Sequence, residues 1–360
     1  MSFETVARVT AAVLHHPPVK TALFTWHGGE PTLLPLDFYR RALLAQSRLR
    51  RDDQSIGNAI QTNGTLLNHE WCQFLADNRF YVGVSIDGPR SLQDLQRPFI
   101  SGRGSSETVH RKIRLLNDWG IEPGVLMVID RAAIELGPRA LFDFILTLGV
   151  KKIGFNSARP TNDPTFFEQP KSLRQFPPAH YTNQSETTAF LLGLYEECEK
   201  NTDAKIEIRE LEALRRRIYG EEARTCTLAG ACIGQHFLVE TNGDFAHCDL
   251  FLGDPAYTVG NVYEADFRTI LQSEAIVRLR RIDEGSQQSM SSCPYYKVCN
   301  GGCPHDRYVA MRYDSKYNEE CCGQYNLISA LTERMRRREA SSEESTSIGS
   351  LILQKEPAPL

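Results

Sequence analysis

Long apolar runs and a surplus of either charge are missing from this 360-residue sequence. A membrane-crossing helix needs ~20 consecutive apolar residues, and no stretch approaches that. The net charge of −4 leaves no basic footprint for nucleic acid or an anionic membrane surface. Residues 1–10 carry neither the basic start nor the apolar core of a secretory signal, so a cytoplasmic location is expected. Cysteine is scarce in the first 225 residues, where Cys72 and Cys198 stand alone and read as small buried apolar side chains.

What is present divides into two halves, as expected of a chain long enough for two cores. Strand-like stretches at 22–26, 58–61, 81–86, 125–129 and 152–156 alternate with helix-like ones at 2–16, 35–50, 69–76, 107–119 and 139–148. Such alternation predicts an α/β fold of parallel strands with helical crossovers, its ligand chemistry at the C-terminal strand ends. The polar and glycine-rich residues fall there: His27-Gly28-Gly29-Glu30-Pro31, Thr62-Asn63-Gly64 and Asp87-Gly88-Pro89. The pattern opens on a helix, with no strand before it. Residues 160–184 read as loop, and 187–200 and 206–219 as bridging helices. A hairpin is predicted from 237–240 and 245–247 around Asn242-Gly243. A helix at 324–338 and a Ser/Glu-rich tail expected to be disordered complete the chain. The expected domains are a partial barrel at 1–160, a bridge at 161–225, a cysteine-rich domain at 226–325 and a helix with tail at 326–360.

Eight of the ten cysteines lie between 226 and 322. Cys226, Cys232 and Cys248 are spaced C-x5-C-x15-C; Cys293, Cys299 and Cys303 follow as C-x5-C-x3-C, then Cys321-Cys322. Clustered thiolates in a reducing compartment bind soft metals, and a cubane iron–sulfur cluster takes one ligand per iron. Structural zinc also uses four cysteines in loop-rich domains, and disulfides are a third reading. Gly301 and Gly302 would let backbone approach a bulky cluster.

Taken in order, Gly28-Gly29-Glu30-Pro31, Gln61-Thr62-Asn63-Gly64, Ser85-Ile86-Asp87-Gly88-Pro89, Cys-x5-Cys, Asn242-Gly243-Asp244, Cys248-Asp249, Gly260-Asn261-Val262 and Cys299-Asn300-Gly301-Gly302-Cys303-Pro304 resemble the radical S-adenosylmethionine enzymes with a SPASM domain. The likeness is to anaerobic sulfatase-maturating enzymes and related peptide maturases, over about residues 2–330. It implies a partial (β/α)6 barrel lacking its first strand, followed by a SPASM domain with a β-hairpin.

By the resemblance, Cys226, Cys232, Cys248 and Cys303 hold a first auxiliary [4Fe–4S] cluster, and Cys293, Cys299 and Cys321 three corners of a second. The family's remaining cysteine is replaced here by Met290, whose neutral thioether is a weak ligand. That second site is then labile, solvent-ligated, completed by Cys322, or absent. Glu30 and the backbone of Gly28 and Gly29 would hold the amino group of S-adenosylmethionine, with His27 and Ser85 in contact and Arg97 on its carboxylate. On the residues alone, Gly28-Gly29 also reads as a tight strand-to-helix turn. Asp249 would be the base of a reaction in which a 5′-deoxyadenosyl radical takes hydrogen from Cβ of a peptide Cys or Ser and an auxiliary cluster takes the electron. Its other reading is a cap at a hairpin end, and Asp244 is assigned to the turn. A ferredoxin or flavodoxin would be the external donor.

The family's C-x3-C-x2-C loop is not found in these 360 residues: Cys299 and Cys303 have the first spacing, but residue 306 is Asp. The expectation is therefore that loop and first strand precede Met1, through a late-assigned start or a truncated gene, and that this product does not cleave S-adenosylmethionine. The functions in view are formylglycine maturation of sulfatases, cross-linking of a ribosomal peptide, a non-catalytic iron–sulfur or peptide-binding remnant, and a zinc-stabilised structural protein.

Overall fold

A computed structural model describes residues 1–160 and 180–352, the side chains of 339–352 excepted. Six strands form one parallel sheet in sequence order: β1 (Thr21–Trp26), β2 (Ser55–Thr62), β3 (Tyr81–Ser85), β4 (Gly124–Ile129), β5 (Lys152–Ser157) and β6 (Glu207–Ile208). Trp26 lies opposite Ile60, Gln61 opposite Gly83, Ser85 opposite Leu126 and Ile129 opposite Ser157, so the C-terminal ends line one edge. β4 shows why the strands form: Val125, Met127 and Ile129 are buried at every second position, the period of a pleated strand. Crossover helices cover the sheet with Tyr39, Leu75, Ile113, Leu116, Phe142 and Ile145, all fully buried.

The cysteine-rich half is built on a second, antiparallel sheet of β7 (Phe237–Val239), β8 (Asp244–His247) and β9 (Thr258–Asn261). The β7–β8 turn is the predicted one, with Gly243 at φ +93° and Asp244 Oδ2 accepting from Asn242 Nδ2 at 2.6 Å. Helix Glu274–Met290 packs Ile276 and Leu279 onto Phe245, Val259 and Phe267.

Helix Phe3–His15 belongs to both halves. Ser2 caps it, its Oγ accepting from Thr5 N at 3.1 Å. Val9 joins the small-sheet core, and Thr5 Oγ1 is 2.8 Å from the Tyr263 hydroxyl. On its other side the Arg41 guanidinium lies 4.1 Å from the Phe3 ring centroid.

Several expectations need correction. The stretch 206–219 is not all helix: β6 comes first and adds a strand to the barrel sheet from within the presumed bridge, the helix beginning at Arg209. The hairpin carries a third strand, β9. The last helix spans Tyr325–Ile352, beyond the point where composition predicts disorder, since its Ser/Glu stretch holds no glycine before 349 and no proline. The loop expected at 160–184 falls mostly in residues 161–179, outside the described residues. Among the described residues no helix is long and apolar enough to cross a membrane.

Candidate functional site

At the β1 end, Gly28 (φ +88°) and Gly29 (φ +53°) turn the chain in the left-handed region, open to other conformations only at a cost for residues with a Cβ. That turn aims Glu30 back across the sheet edge. Its Oε1 accepts from Thr32 N at 2.9 Å and Thr62 Oγ1 at 2.6 Å, and Oε2 from Asn63 N at 2.7 Å. Glu30 thus ties the β1 loop to the β2 loop. Its neighbour His27 is exposed, just past β1. One strand over, Gln61 Nε2 donates to Ser85 Oγ at 3.0 Å, which leaves the serine hydroxyl hydrogen free to donate. Arg97 is engaged: Nε and Nη2 both donate to the buried Asp87, Nη2 at 3.2 Å, while Asp87 Oδ1 also accepts from Val128 N at 3.1 Å. A carboxylate ligand would meet the remaining edge of that guanidinium.

The thiols of the first predicted group come from separate segments. Cys226 is exposed at the start of a one-turn helix; Cys232 follows it; Cys248 comes directly after β8; Cys303 is buried before helix Pro304–Tyr313. Cys248 is one of few non-glycine residues at positive φ (+63°), a backbone strain concentrated at functional positions. Burial pushes Cys232 up to about 11 and Cys248 up to about 12, with the Cys226 charge a smaller contributor to both, and burial raises Cys303 further. Cys248 Sγ donates to Asp249 Oδ1 at 3.3 Å, leaving the rest of that exposed carboxylate open to solvent. Asp249 begins the 3-10 turn Asp249–Phe251, and behind it Phe251 stacks on Tyr257 with ring centroids 3.7 Å apart.

In the second group, interaction with the Cys322 thiol draws Cys299 and Cys321 below the ordinary thiol range. Cys293 is half-buried, three residues past the end of helix Glu274–Met290, and Met290 itself is 1% exposed. Cys72 and Cys198 pack in the barrel core, far from ionising, as burial pushes both up.

Thiols brought from separate segments are the soft donors that an iron–sulfur cluster takes. Among the described residues no three His, Cys, Asp or Glu side chains close to the spacing of a single metal.

Residues 1–131 match the radical SAM superfamily, and 231–304 match the SPASM iron–sulfur cluster-binding domain. The serine-type anaerobic sulfatase-maturating enzyme of Bacteroides thetaiotaomicron is 31% identical over 317 residues, covering 86% of this chain and 75% of that protein. The chain belongs to the anaerobic sulfatase-maturating enzyme family. The cysteine-type enzyme of Clostridium perfringens (strain 13) is 26% identical over 298 residues, 83% of this chain and 78% of its own. The fold agrees with a solved structure described as native anSMEcpe with bound AdoMet, at TM-score 0.77 and 22% identity over 95% of this chain and 90% of that one. A second, described as holding AdoMet and the Cp18Cys peptide, superposes at TM-score 0.79, 22% identity, 95% and 91% coverage. As a radical SAM/SPASM oxidoreductase family, it uses S-adenosylmethionine and [4Fe–4S] clusters.

Within this family frame, Arg159 is a residue that sequence reasoning missed. It lies just beyond β5, where its Nε donates to Asp306 Oδ1 at 3.1 Å. Burial alone would push its charge off, but Asp306, Cys303 and Cys248 hold it firmly cationic. It links the barrel edge to the first thiol group and supplies positive charge where a cluster's thiolates would gather. The signal available was thin: a single arginine after a strand, before a loop.

Proposed function

We propose that this protein oxidises a Cys or Ser side chain of a sulfatase to formylglycine. The reading is carried by the 31% identity that spans both the barrel and the SPASM half. The serine-type and cysteine-type relatives leave open which of the two residues is taken. We assign Glu30, the Gly28-Gly29 backbone, His27, Ser85 and Arg97 to S-adenosylmethionine. Cys226, Cys232, Cys248 and Cys303 take a first auxiliary cluster; Cys293, Cys299 and Cys321 contribute to a second. When bound, these groups supply removal of one hydrogen atom from the substrate Cβ and uptake of one electron, which with one proton completes a two-electron oxidation.

The chain's own task at the substrate is that proton. Asp249 is an exposed carboxylate beside Cys248, so a substrate lying between the strand ends and the first cluster meets it from the solvent side. Arg159 keeps that side of the thiol group cationic and so draws electron density toward it. The protein acts in the cytoplasm, with a ferredoxin or flavodoxin as donor. These 360 residues contain no C-x3-C-x2-C spacing, so they are assigned the cofactor-holding and auxiliary parts, and no cleavage of S-adenosylmethionine is expected from them alone.

The test pairs this chain and an upstream-extended form with a sulfatase peptide carrying Cys or Ser, under anaerobic reconstitution. Aldehyde in the peptide and 5′-deoxyadenosine from the extended form are expected. A thioether cross-link in place of aldehyde would reassign the protein to peptide cross-linking, and equal 5′-deoxyadenosine from the short form would overturn the division of parts.

A further inference from the structure

The hollow face of the barrel sheet is floored by glycine. Val82 and Val84 of β3, and Ile153 and Phe155 of β5, pack into the helix-side core. Gly83, Ser85 and Gly154 therefore face the hollow, by the alternation of a strand. Gln61 pairs with Gly83 and Gly83 with Gly124, while Ser85 pairs with Leu126 and Leu126 with Gly154. Two of these glycines each seat a long polar side chain lying flat across the strand. Over Gly83 it is Gln61, which reaches Ser85. Over Gly154 it is Arg209, the residue after β6: a Cβ at 154 would lie 2.9 Å from its Cζ and 3.1 Å from its Nη1.

Arg209 is held there by one edge. Its Nε donates to Glu210 Oε1 at 2.7 Å, and Nη2 donates to the Phe155 carbonyl at 3.1 Å and to Asn156 Oδ1 at 3.4 Å. Glu210 is pinned in turn, its Oε2 accepting from Phe155 N at 3.1 Å. Nη1 donates to no protein group among the described residues, and the side chain is 49% exposed. The guanidinium thus presents two fixed N–H donors to the hollow. Arg97, at the β3 end, is anchored through the same two nitrogens to Asp87. Glu210 balances the charge of Arg209, so the pair suits a neutral acceptor better than a free anion. A peptide carbonyl is such an acceptor. The surroundings are those of the proposed base: burial raises the Cys226 thiol, and the charges of Arg209 and Asp249 act on it next. We propose that Arg209 Nη1 donates to a backbone carbonyl of the substrate peptide and so lays that chain across the hollow beside Asp249. This rests on the reading of the substrate as a sulfatase peptide.

The iron-loaded 360-residue chain and a fluorescent sulfatase peptide carrying Cys provide the test. Affinities for the peptide and for S-adenosylmethionine are measured for the unmodified chain, R209Q and G154A. R209Q should weaken peptide binding about 10- to 100-fold and leave S-adenosylmethionine binding within about twofold. G154A keeps the arginine but pushes its guanidinium off its seat, and Gly154 has no positive φ, so alanine fits the backbone. Its peptide affinity should fall about 3- to 10-fold. Replacing the peptide's amides by esters, one at a time, weakens single carbonyls as acceptors. One position should cost affinity in the unmodified chain and nothing further in R209Q, a coupling that a merely structural arginine would not show. Unchanged peptide affinity in R209Q, an ester scan without such a position, or a loss that falls on S-adenosylmethionine instead would each overturn the proposal. Failure of the unmodified chain to bind the peptide would sink the substrate reading, and this proposal with it.

Discussion

The barrel's strand ends and the cysteine-rich half hold their functional side chains in opposite ways. At the strand ends, charges are met by protein: Glu30 by Thr32, Thr62 and Asn63, and Arg97 by Asp87. In the cysteine-rich half, burial drives Cys232, Cys248 and Cys303 away from their charged form, and the ion pairs Arg159–Asp306 and Arg307–Asp283 stand around the sulfurs. A carboxylate is satisfied by amides and hydroxyls, whereas a buried thiolate asks for a soft cation. One site is finished by folding; the other is finished by its metal.

Substitutions measured with and without iron sharpen that contrast. The largest effect is expected from Asp249→Asn: turnover of the extended, iron-loaded form falls about 100- to 10,000-fold with iron content unchanged. Loss of iron in that variant would make Asp249 part of the thiol scaffold. Next is Arg307→Met. Arg307 donates to Asp283 and to the carbonyls of Gly301 and Gly302, the latter at 3.0 Å, and so fastens the Cys299–Cys303 loop to helix Glu274–Met290. Its removal should cost about 3–5 kcal/mol in urea unfolding, by leaving a buried carboxylate alone. Burial already raises the Asp283 pKa, and more so without its partner. A carboxyl with a raised folded-state pKa favours the folded form while protonated and loses that contribution as pH rises, so the cost should be smaller at pH 5 than at pH 8.

Glu30→Gln should weaken S-adenosylmethionine binding by roughly 10- to 100-fold and lower stability by about 1–3 kcal/mol. The stability loss should be the same in iron-free protein, because Glu30 is held by Thr32, Thr62 and Asn63, all protein groups. A loss that depends on iron would break the contrast between the two sites. The smallest effect is Gly28→Ala, about 1 kcal/mol by thermal unfolding, since a Cβ there meets nothing within 4 Å and only the φ of +88° is strained.

The barrel was legible because its signals are local. β4, expected at 125–129, spans Gly124–Ile129, and β1, expected at 22–26, spans Thr21–Trp26. Alternating apolar residues and the turns after them mark such strands without any knowledge of neighbours. β6 was not legible, because two residues, Glu207 and Ile208, carry no period and run straight into a helix. β9 was hidden for another reason: Gly260-Asn261 was noticed as a motif, but its pairing with β8 is a long-range choice. At the site, residue type and spacing picked out the cysteines, and the family resemblance picked out Glu30 and Asp249. What they could not give was partnership: Glu30 reaching β2, Arg97 already held by Asp87, and Arg159 reaching Asp306 across 147 residues.

Helix Phe3–His15 has a thermodynamic consequence. Its 13 residues are shared between the barrel helices, through Phe3 and Arg41, and the small-sheet core, through Val9, Thr5 and Tyr263. A shared element transmits stability: whatever ligand tightens one half raises the free energy needed to release the helix from the other. Loading iron into the cysteine-rich half should therefore slow amide exchange in helix Leu36–Leu49, on the barrel side, as well as in β8. Metal content and barrel stability then become one linked equilibrium.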